Sequence, residues 1–309
     1  MSAATAAAAA AHRAEALRGH AAMLLFSVLI AGSFSLGAMT ANEIDPGAFT
    51  AARFLVAAAV LAALVLARGL RVRRAHAAAP WRYLVLGGLY AAYFVLMFEG
   101  LKTAPPVATA AVFTLTPILT GLFGWLLLRQ AMTGRMVLAL AIGGAGALWV
   151  IFRGDPAALA AFGFGRGEAI YFVGCVAHAL LTPLLRRFGR GEPPVISTLF
   201  ITLTGAALLV VWSWGAIGAV DWGALPAVVW VTLAYTAVFA SAATFVLIQY
   251  AAQRLPAAKV MAYTYLVPSW VILWEIALGR GAPPLLVLGG VALTVAALAV
   301  LLKPEPGDR

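Results

Sequence analysis

Three of the ionisable side chains that lie inside long apolar stretches of this 309-residue sequence are candidates for chemistry: Arg53, His178 and Glu275. A charge inside a bilayer costs several kcal/mol unless it is paired or hydrated. Glu275 would take up a proton or meet a substrate amine, and the alternative is a local ion pair with Arg280. Arg53 would bind a substrate carboxylate. The alternative is that its charged end reaches the membrane surface or pairs with an acid.

His178 is a histidine deep in an apolar stretch. It would titrate near neutral pH or hydrogen-bond a substrate, and the alternative is a structural bond to a neighbouring helix. No cluster of His, Asp, Glu or Cys at metal-ligand spacing accompanies it, and the single cysteine, Cys175, excludes an internal disulfide. The sequence therefore predicts neither a metal site nor a cofactor.

Deep aromatic side chains are the second set of candidates. They need partners for their hydroxyl and indole groups in hydrocarbon, so they face other helices or a cavity rather than lipid. With His178, the predicted cavity-lining residues are Tyr90, Tyr93, Phe94, Met97, Tyr263, Tyr265 and Trp270. We expect them to line one shared substrate cavity, and simple core packing is the alternative for each.

Composition places these candidates in lipid. The chain is 64% hydrophobic and 10% charged, with a mean hydropathy of +0.98, whereas soluble domains are about 45–50% apolar and about 25% charged. A soluble enzyme, a disordered chain and a nucleic-acid-binding domain are therefore excluded. The net charge of +10 is typical of basic loops beside a membrane. The sequence is that of an all-α, polytopic membrane protein whose partners include membrane lipids and no nucleic acid.

Apolar stretches between charged or Pro/Gly-rich breaks predict ten transmembrane helices, since about 20 residues are needed to cross a bilayer. Spans 1 to 10 are predicted at residues 21–40, 48–67, 82–101, 106–128, 134–152, 168–185, 194–216, 226–250, 257–279 and 284–302. With the N-terminus inside, fifteen Lys and Arg residues fall on the cytoplasmic side and four outside. This bias predicts cytoplasmic tails at 1–20 and 303–309.

An internal repeat divides the chain into two halves. The segment 93–106 matches 244–257 at an offset of 151, with Pro105 on Pro256 and Pro117 on Pro268. Because each repeat has five spans, an odd number, the two insert with opposite orientations, as in secondary transporters. Pro117 and Pro268 are predicted to kink spans 4 and 9 and to act as hinges, and static kinks are the alternative.

Several short motifs recur at characteristic positions. They are Ala51-Ala52-Arg53-Phe54-Leu55, Leu115-Thr116-Pro117, Leu266-Val267-Pro268, the glycines Gly143, Gly144 and Gly146, and the pair Gly289-Gly290. Their order over residues 21–302 resembles the EamA-type branch of the drug/metabolite transporter superfamily, with the amino-acid exporters as the nearest likeness. Gln130 and Gly281 stand where that family usually has Glu, thirteen residues after each proline. Its first-span Trp-Gly pair reads Ala31-Gly32 here.

The resemblance implies two inverted five-helix repeats, at 21–152 and 168–302, around a central cavity. It implies a monomeric secondary transporter of a bacterial inner membrane that exports amino acids or related small metabolites by alternating access. Efflux of lipophilic or cationic drugs on the same fold is the alternative. A membrane enzyme would need clustered acids or histidines near a membrane surface, and the acids here are scattered. A scaffold or receptor would show no substrate-dependent uptake.

Overall fold

The computed structural model describes residues 3–130, 132–157 and 165–302, with side chains described from residue 14 onward. The structure is nearly all helical, with 81% of residues in helices and no strand among the described ranges. The predicted all-α fold is confirmed.

Nine helices in the described part of the chain are long and apolar enough to cross a membrane. They run Ala14–Thr40, Pro46–Ala67, Trp81–Leu101, Pro106–Leu128, Gly134–Ile151, Arg166–Phe188, Pro194–Trp212, Ala227–Ala252 and Ala257–Ala277. The tenth span is the apolar helix Leu285–Leu301, whose 17 residues extend about 25 Å at 1.5 Å per residue. Two short helices, Arg74–Ala77 and Trp214–Ala219, lie in the connections.

The first helix is longer than predicted. It begins at Ala3, so most of the segment predicted as a cytoplasmic tail outside the spans, at 1–20, is helical. Alanine, which dominates this segment, has the highest helix propensity of all residues. Glu15 also accepts a 2.7 Å bond from Arg254, which fixes the start of span 1 beside the end of span 8. The predicted tail at 303–309 lies outside the described residues.

Spans 4 and 9 are interrupted near their prolines rather than kinked within one continuous helix. Span 4 consists of Pro106–Phe113 and Thr116–Leu128. Span 9 consists of Ala257–Met261, a 3-10 turn at Ala262–Leu266, and Val267–Ala277. Pro117 and Pro268 lie in the first turn of the segment that follows each break, where a missing N–H disrupts no helical bond. Their role as hinges stays a prediction.

Span 8 changes its helical pitch in the middle. Its α-helical parts, Ala227–Ala237 and Thr244–Ala252, are joined by a π-helical segment at Val238–Ala243. The π geometry withdraws carbonyls from the regular bonding pattern and is frequent at functional sites. The π segment therefore marks the part of span 8 that presents backbone acceptors to a neighbouring helix.

The two repeats interlace instead of forming separate lobes. Among the most extensive helix contacts are those between spans 5 and 10, 3 and 6, 1 and 8, and 2 and 7, and every one of these pairs takes one span from each repeat. Spans 2 and 7 are counterparts in the two repeats, as are spans 5 and 10. Span 1 is the counterpart of span 6, and span 8 is the counterpart of span 3. The contact between spans 1 and 8 is therefore the same pairing as that between spans 6 and 3. The interior of the protein is therefore one inter-repeat interface.

A buried ion pair ties the repeats together at the side predicted to be cytoplasmic. Arg82, in the first turn of span 3, pairs with Glu192 in the connection between spans 6 and 7. Arg82 also donates to the carbonyl of Phe188 and the hydroxyl of Tyr83, both at 2.9 Å. The backbone N–H of Arg190 donates to Glu192 at 2.8 Å. The pair has side-chain exposures of 3% and 5%, so solvent screens it weakly.

Candidate functional site

Several aromatic rings meet at the interface between the repeats, and we call eight of them the aromatic cluster. Spans 2, 3 and 4 of the first repeat and spans 6 and 8 of the second contribute to it. Its members are Phe54, Tyr90, Tyr93, Phe94, Phe113, Tyr171, His178 and Phe245, each at most 2% exposed. Four of the eight residues predicted to line a cavity, Tyr90, Tyr93, Phe94 and His178, are thus brought together.

Tyr90 and Tyr93 are the centres of the aromatic cluster, because each contacts rings of both repeats. The ring of Tyr90 stacks on Phe245 of span 8 at a centroid distance of 4.1 Å and lies 5.1 Å from Phe54. Tyr93 lies 4.4 Å from His178 and accepts a 3.1 Å hydrogen bond from the hydroxyl of Tyr171. Separation of the repeats would pull these rings apart.

Arg53 lies beside the aromatic cluster and is fully buried, at 0% exposure. Its Nε donates to the hydroxyl of Ser241 at 2.6 Å and its Nη2 to the carbonyl of Ala240 at 2.9 Å. Both acceptors belong to the π segment of span 8. The guanidinium carbon lies 3.5 Å from the ring centre of Phe94. The alternative reading, in which Arg53 reaches the surface or pairs with an acid, is therefore wrong for the described structure.

Two nitrogen atoms at this site have no hydrogen-bond partner among the described residues. They are Nη1 of Arg53 and Nδ1 of His178. Buried polar atoms are nearly always hydrogen-bonded in folded proteins, so each unpartnered atom calls for an explanation. Together they give a mostly aromatic site a strong cationic donor and an imidazole, groups suited to a small molecule with both apolar and polar parts.

The predicted residues of span 9 lie outside the aromatic cluster. Trp270 donates its Nε1 to the hydroxyl of Ser27 at 3.2 Å, and the ring of Tyr263 lies 6.0 Å from His20. Both partners belong to span 1. These aromatic residues therefore pack against span 1, and a cavity shared with the aromatic face of span 3 stays a prediction.

Tyr265 and Met97 are buried in the same continuous core, each at 0% exposure. The ring of Tyr265 covers Gly143 of span 5 so closely that a β-carbon there would lie 2.3 Å from its Cζ. The glycine of span 5 thus makes room for the tyrosine of span 9. This contact indicates packing between the repeats rather than a free face.

Glu275 pairs with the nearby cation of Arg280 and is not a member of the aromatic cluster. Its carboxylate lies 3.8 Å from Arg280, so the alternative of a local pair is confirmed. Glu99 is likewise paired with Lys102, at 2.7 Å. Among the described residues, no three His, Cys, Asp or Glu side chains come together as a metal site.

Four members of the aromatic cluster were not predicted from the sequence, although a pattern in the sequence pointed to two of them. Phe245 is the counterpart of Phe94 at the repeat offset of 151, and Phe54 follows Arg53 directly in the span 2 motif. Phe113 and Tyr171 carried none, because an aromatic residue in an apolar helix has no pattern that reveals which face it occupies.

These features, two sets of five helices that meet at a buried site, are typical of a membrane transporter. The model of the EamA-like transporter family matches residues 17–152 and again residues 165–303. The chain belongs to the EamA-like transporter family.

Two further comparisons agree with this assignment. The chain is 29% identical over 279 residues to the uncharacterized transporter YyaM of Bacillus subtilis (strain 168), an alignment that covers 89% of this chain and 91% of YyaM. It also resembles a protein of known crystal structure with a TM-score of 0.69 and 24% identity, covering 94% of this chain and 96% of that one. This second likeness supports the fold alone.

Proposed function

We propose that this transporter exports amino acids or related small metabolites across the bacterial inner membrane by alternating access between its two repeats. The observation that carries the proposal is the aromatic cluster, which is built from both repeats and has, in it or beside it, polar atoms without partners among the described residues. Transporters with inverted repeats place their substrate at the interface between the repeats. A site built this way opens and closes as the repeats move relative to each other.

The burial of the aromatic cluster favours a small substrate. Because every ring in it is at most 2% exposed, a molecule reaches the site only after the repeats separate, and it is then enclosed. Enclosure suits a metabolite that fits between a few rings. The cation of Arg53 also repels cationic compounds, which favours metabolites over cationic drugs.

Counterflow into proteoliposomes tests this proposal. Purified protein would be reconstituted into vesicles loaded with each of the twenty amino acids, and uptake of the labelled compound would be followed with and without a pH gradient. We expect at least one amino acid to exchange above protein-free vesicles. Exchange of cationic dyes but of no amino acid would contradict the proposal and support drug efflux. A change of rate with the pH gradient would show that export is coupled to protons.

Replacing Phe245 with leucine is expected to slow this exchange about tenfold, because it removes a stacked ring from Tyr90, and such pairs contribute about 0.5–1.5 kcal/mol. Phe239→Leu is the matched control, since Phe239 lies in the same span but is 45% exposed. The control should remain within about twofold of wild type, as expected for an exposed position. Equal rates for both variants would show that the aromatic cluster is not the transport site.

A further inference from the structure

We propose that Arg53 binds the carboxylate of the transported molecule, so that the transporter selects small monocarboxylates and rejects their amides and decarboxylated amines. This inference rests on the proposed transport role of the aromatic cluster and adds the chemical group that the site recognises. It also assigns that recognition to one atom, Nη1 of Arg53.

The first argument is the charge balance around Arg53. No carboxylate pairs with it in the described part of the chain. Two acids in the outer parts of spans are engaged elsewhere, Glu99 with Lys102 and Glu275 with Arg280. A guanidinium remains protonated in proteins, so the buried positive charge persists. Burial of an uncompensated charge is costly, and an anionic ligand would supply the missing compensation.

The second argument is the geometry of the guanidinium. The π segment of span 8 accepts bonds from Nε and Nη2, through Ser241 and Ala240, and the ring of Phe94 covers one face. These contacts fix the plane of the group and leave Nη1 without an acceptor among the residues that the structure describes. A carboxylate oxygen that accepts from Nη1 would form a charge-assisted hydrogen bond, which is about twice as strong as a neutral one.

The surroundings of Arg53 favour a monoanion. One cation among aromatic rings neutralises one carboxylate, so the site is electrically neutral around a simple monocarboxylate and carries no more charge around a zwitterionic amino acid than when it is empty. A phosphate, with a charge nearer −2, would leave an excess negative charge beside Phe94, whose ring contacts Tyr90 and Phe54. A neutral loaded site is cheaper to enclose in a low-dielectric interior than a charged one. This difference would favour closure of the repeats around a carboxylate.

A purely structural role for Arg53 is the competing explanation, since its bonds to Ser241 and Ala240 join span 2 to span 8. The two explanations differ in ligand selectivity. If Arg53 only joins helices, its loss weakens the binding of every ligand alike. If it binds the carboxylate, its loss abolishes the difference between an acid and its amide.

The test measures thermal stabilisation of the purified full-length protein by a matched ligand series. The series is L-leucine, 4-methylpentanoate, which keeps the carboxylate and lacks the amine, L-leucinamide, isoamylamine and inorganic phosphate. For the wild type we expect L-leucine and 4-methylpentanoate to bind at least about tenfold more tightly than the amide and the amine, as expected for loss of a charge-assisted hydrogen bond. Arg53→Met should abolish this ratio. Arg68→Met, which makes the same change at an exposed position at the end of span 2, should preserve it.

Several results would overturn the inference. They are equal binding of L-leucine and L-leucinamide by the wild type, stabilisation by phosphate but by no carboxylate, the absence of stabilisation by either carboxylate, or an unchanged acid-to-amide ratio in Arg53→Met. If Arg53→Met does not fold, equal binding of the acid and its amide by the wild type still overturns the inference. Arg53-dependent binding of carboxylates without exchange of any amino acid would refute the proposed export of amino acids and leave this inference standing. Equal exchange of an amino acid and its amide would refute this inference and leave the proposed export of amino acids standing.

Discussion

Replacing Glu192 with glutamine is expected to destabilise the folded protein by about 3 kcal/mol, because it leaves the buried guanidinium of Arg82 without its carboxylate. Removal of one partner from a buried ion pair typically costs about 3–5 kcal/mol. The remaining acceptors of Arg82, the carbonyl of Phe188 and the hydroxyl of Tyr83, are neutral and do not balance its charge. The prediction is checked by thermal and denaturant unfolding of the purified protein.

The matched control is Glu99→Gln, which makes the same chemical change in an exposed pair. Glu99 and Lys102 have side-chain exposures of 38% and 30%, and exposed pairs contribute about 0–1 kcal/mol. Equal losses of stability in the two variants would show that burial of the Arg82–Glu192 pair has no energetic weight. The comparison thus isolates burial from charge.

The same pair predicts a dependence of stability on pH. Burial alone would raise the pKa of Glu192, but hydrogen bonds from Arg82 and from backbone N–H groups outweigh burial and lower this pKa below its ordinary value of about 4.5. A carboxyl with a lowered pKa stabilises the fold above its ordinary value, and this contribution is lost as the pH falls through the lowered value. The stability difference between wild type and Glu192→Gln should therefore stay constant from neutral pH to about 5 and shrink below about 4.5. A difference that shrinks between pH 7 and 5 would contradict the lowered pKa.

Replacing Gly290 with alanine is expected to destabilise the protein by about 1–3 kcal/mol, the usual cost of overpacking a close contact. A β-carbon at Gly290 would lie 2.6 Å from the carbonyl oxygen of Gly146 and 2.8 Å from Cγ2 of Val150. Because the first of these atoms is backbone, span 5 and span 10 must move apart to relieve the overlap. These two spans form one of the most extensive contacts between the repeats. Unfolding of the purified variant, monitored by circular dichroism, measures the loss.

The neighbouring Gly289→Ala provides the control. A β-carbon at Gly289 would meet nothing closer than Nε1 of Trp149, at 3.7 Å, which is ordinary van der Waals distance. Alanine also favours a helix over glycine by about 1 kcal/mol, so this variant should be as stable as wild type or slightly more stable. If both variants lost stability equally, the close contact at Gly290 would not be the cause.

The sequence predicted the fold well because the fold depends on properties that are local in the chain. The length of each apolar stretch determines whether it can span a bilayer, and the paired prolines at an offset of 151 reveal the repeat. The breaks beside Pro117 and Pro268 were predicted in position but not in form, since a proline kinks a helix or begins a new segment according to the bonding around it.

The candidate site was predicted less well because it depends on contacts that are distant in the chain. Arg53 donates a hydrogen bond to Ser241, which lies 188 residues away in the π segment of span 8. No pattern within span 2 indicates that segment. The indole N–H of Trp270 donates a hydrogen bond to Ser27, 243 residues away. The depth of Trp270 in the membrane therefore could not show whether it faced a cavity. The sequence indicates how deep a side chain lies in the membrane, but it does not indicate which helix that side chain contacts.

The interlacing of the repeats affects the order in which the protein is completed during synthesis. Ribosomes add about 5–20 residues per second, so the first five spans reach the bilayer about 8–30 s before the last of the second five. In this interval span 2 already carries Arg53, but its acceptors in span 8 do not yet exist, and span 5 lacks the helix that will pack against its glycines. The newly made first half must therefore be sheltered by lipid, water or the insertion machinery. Assembly of the transporter is a late event that ends with the arrival of span 10.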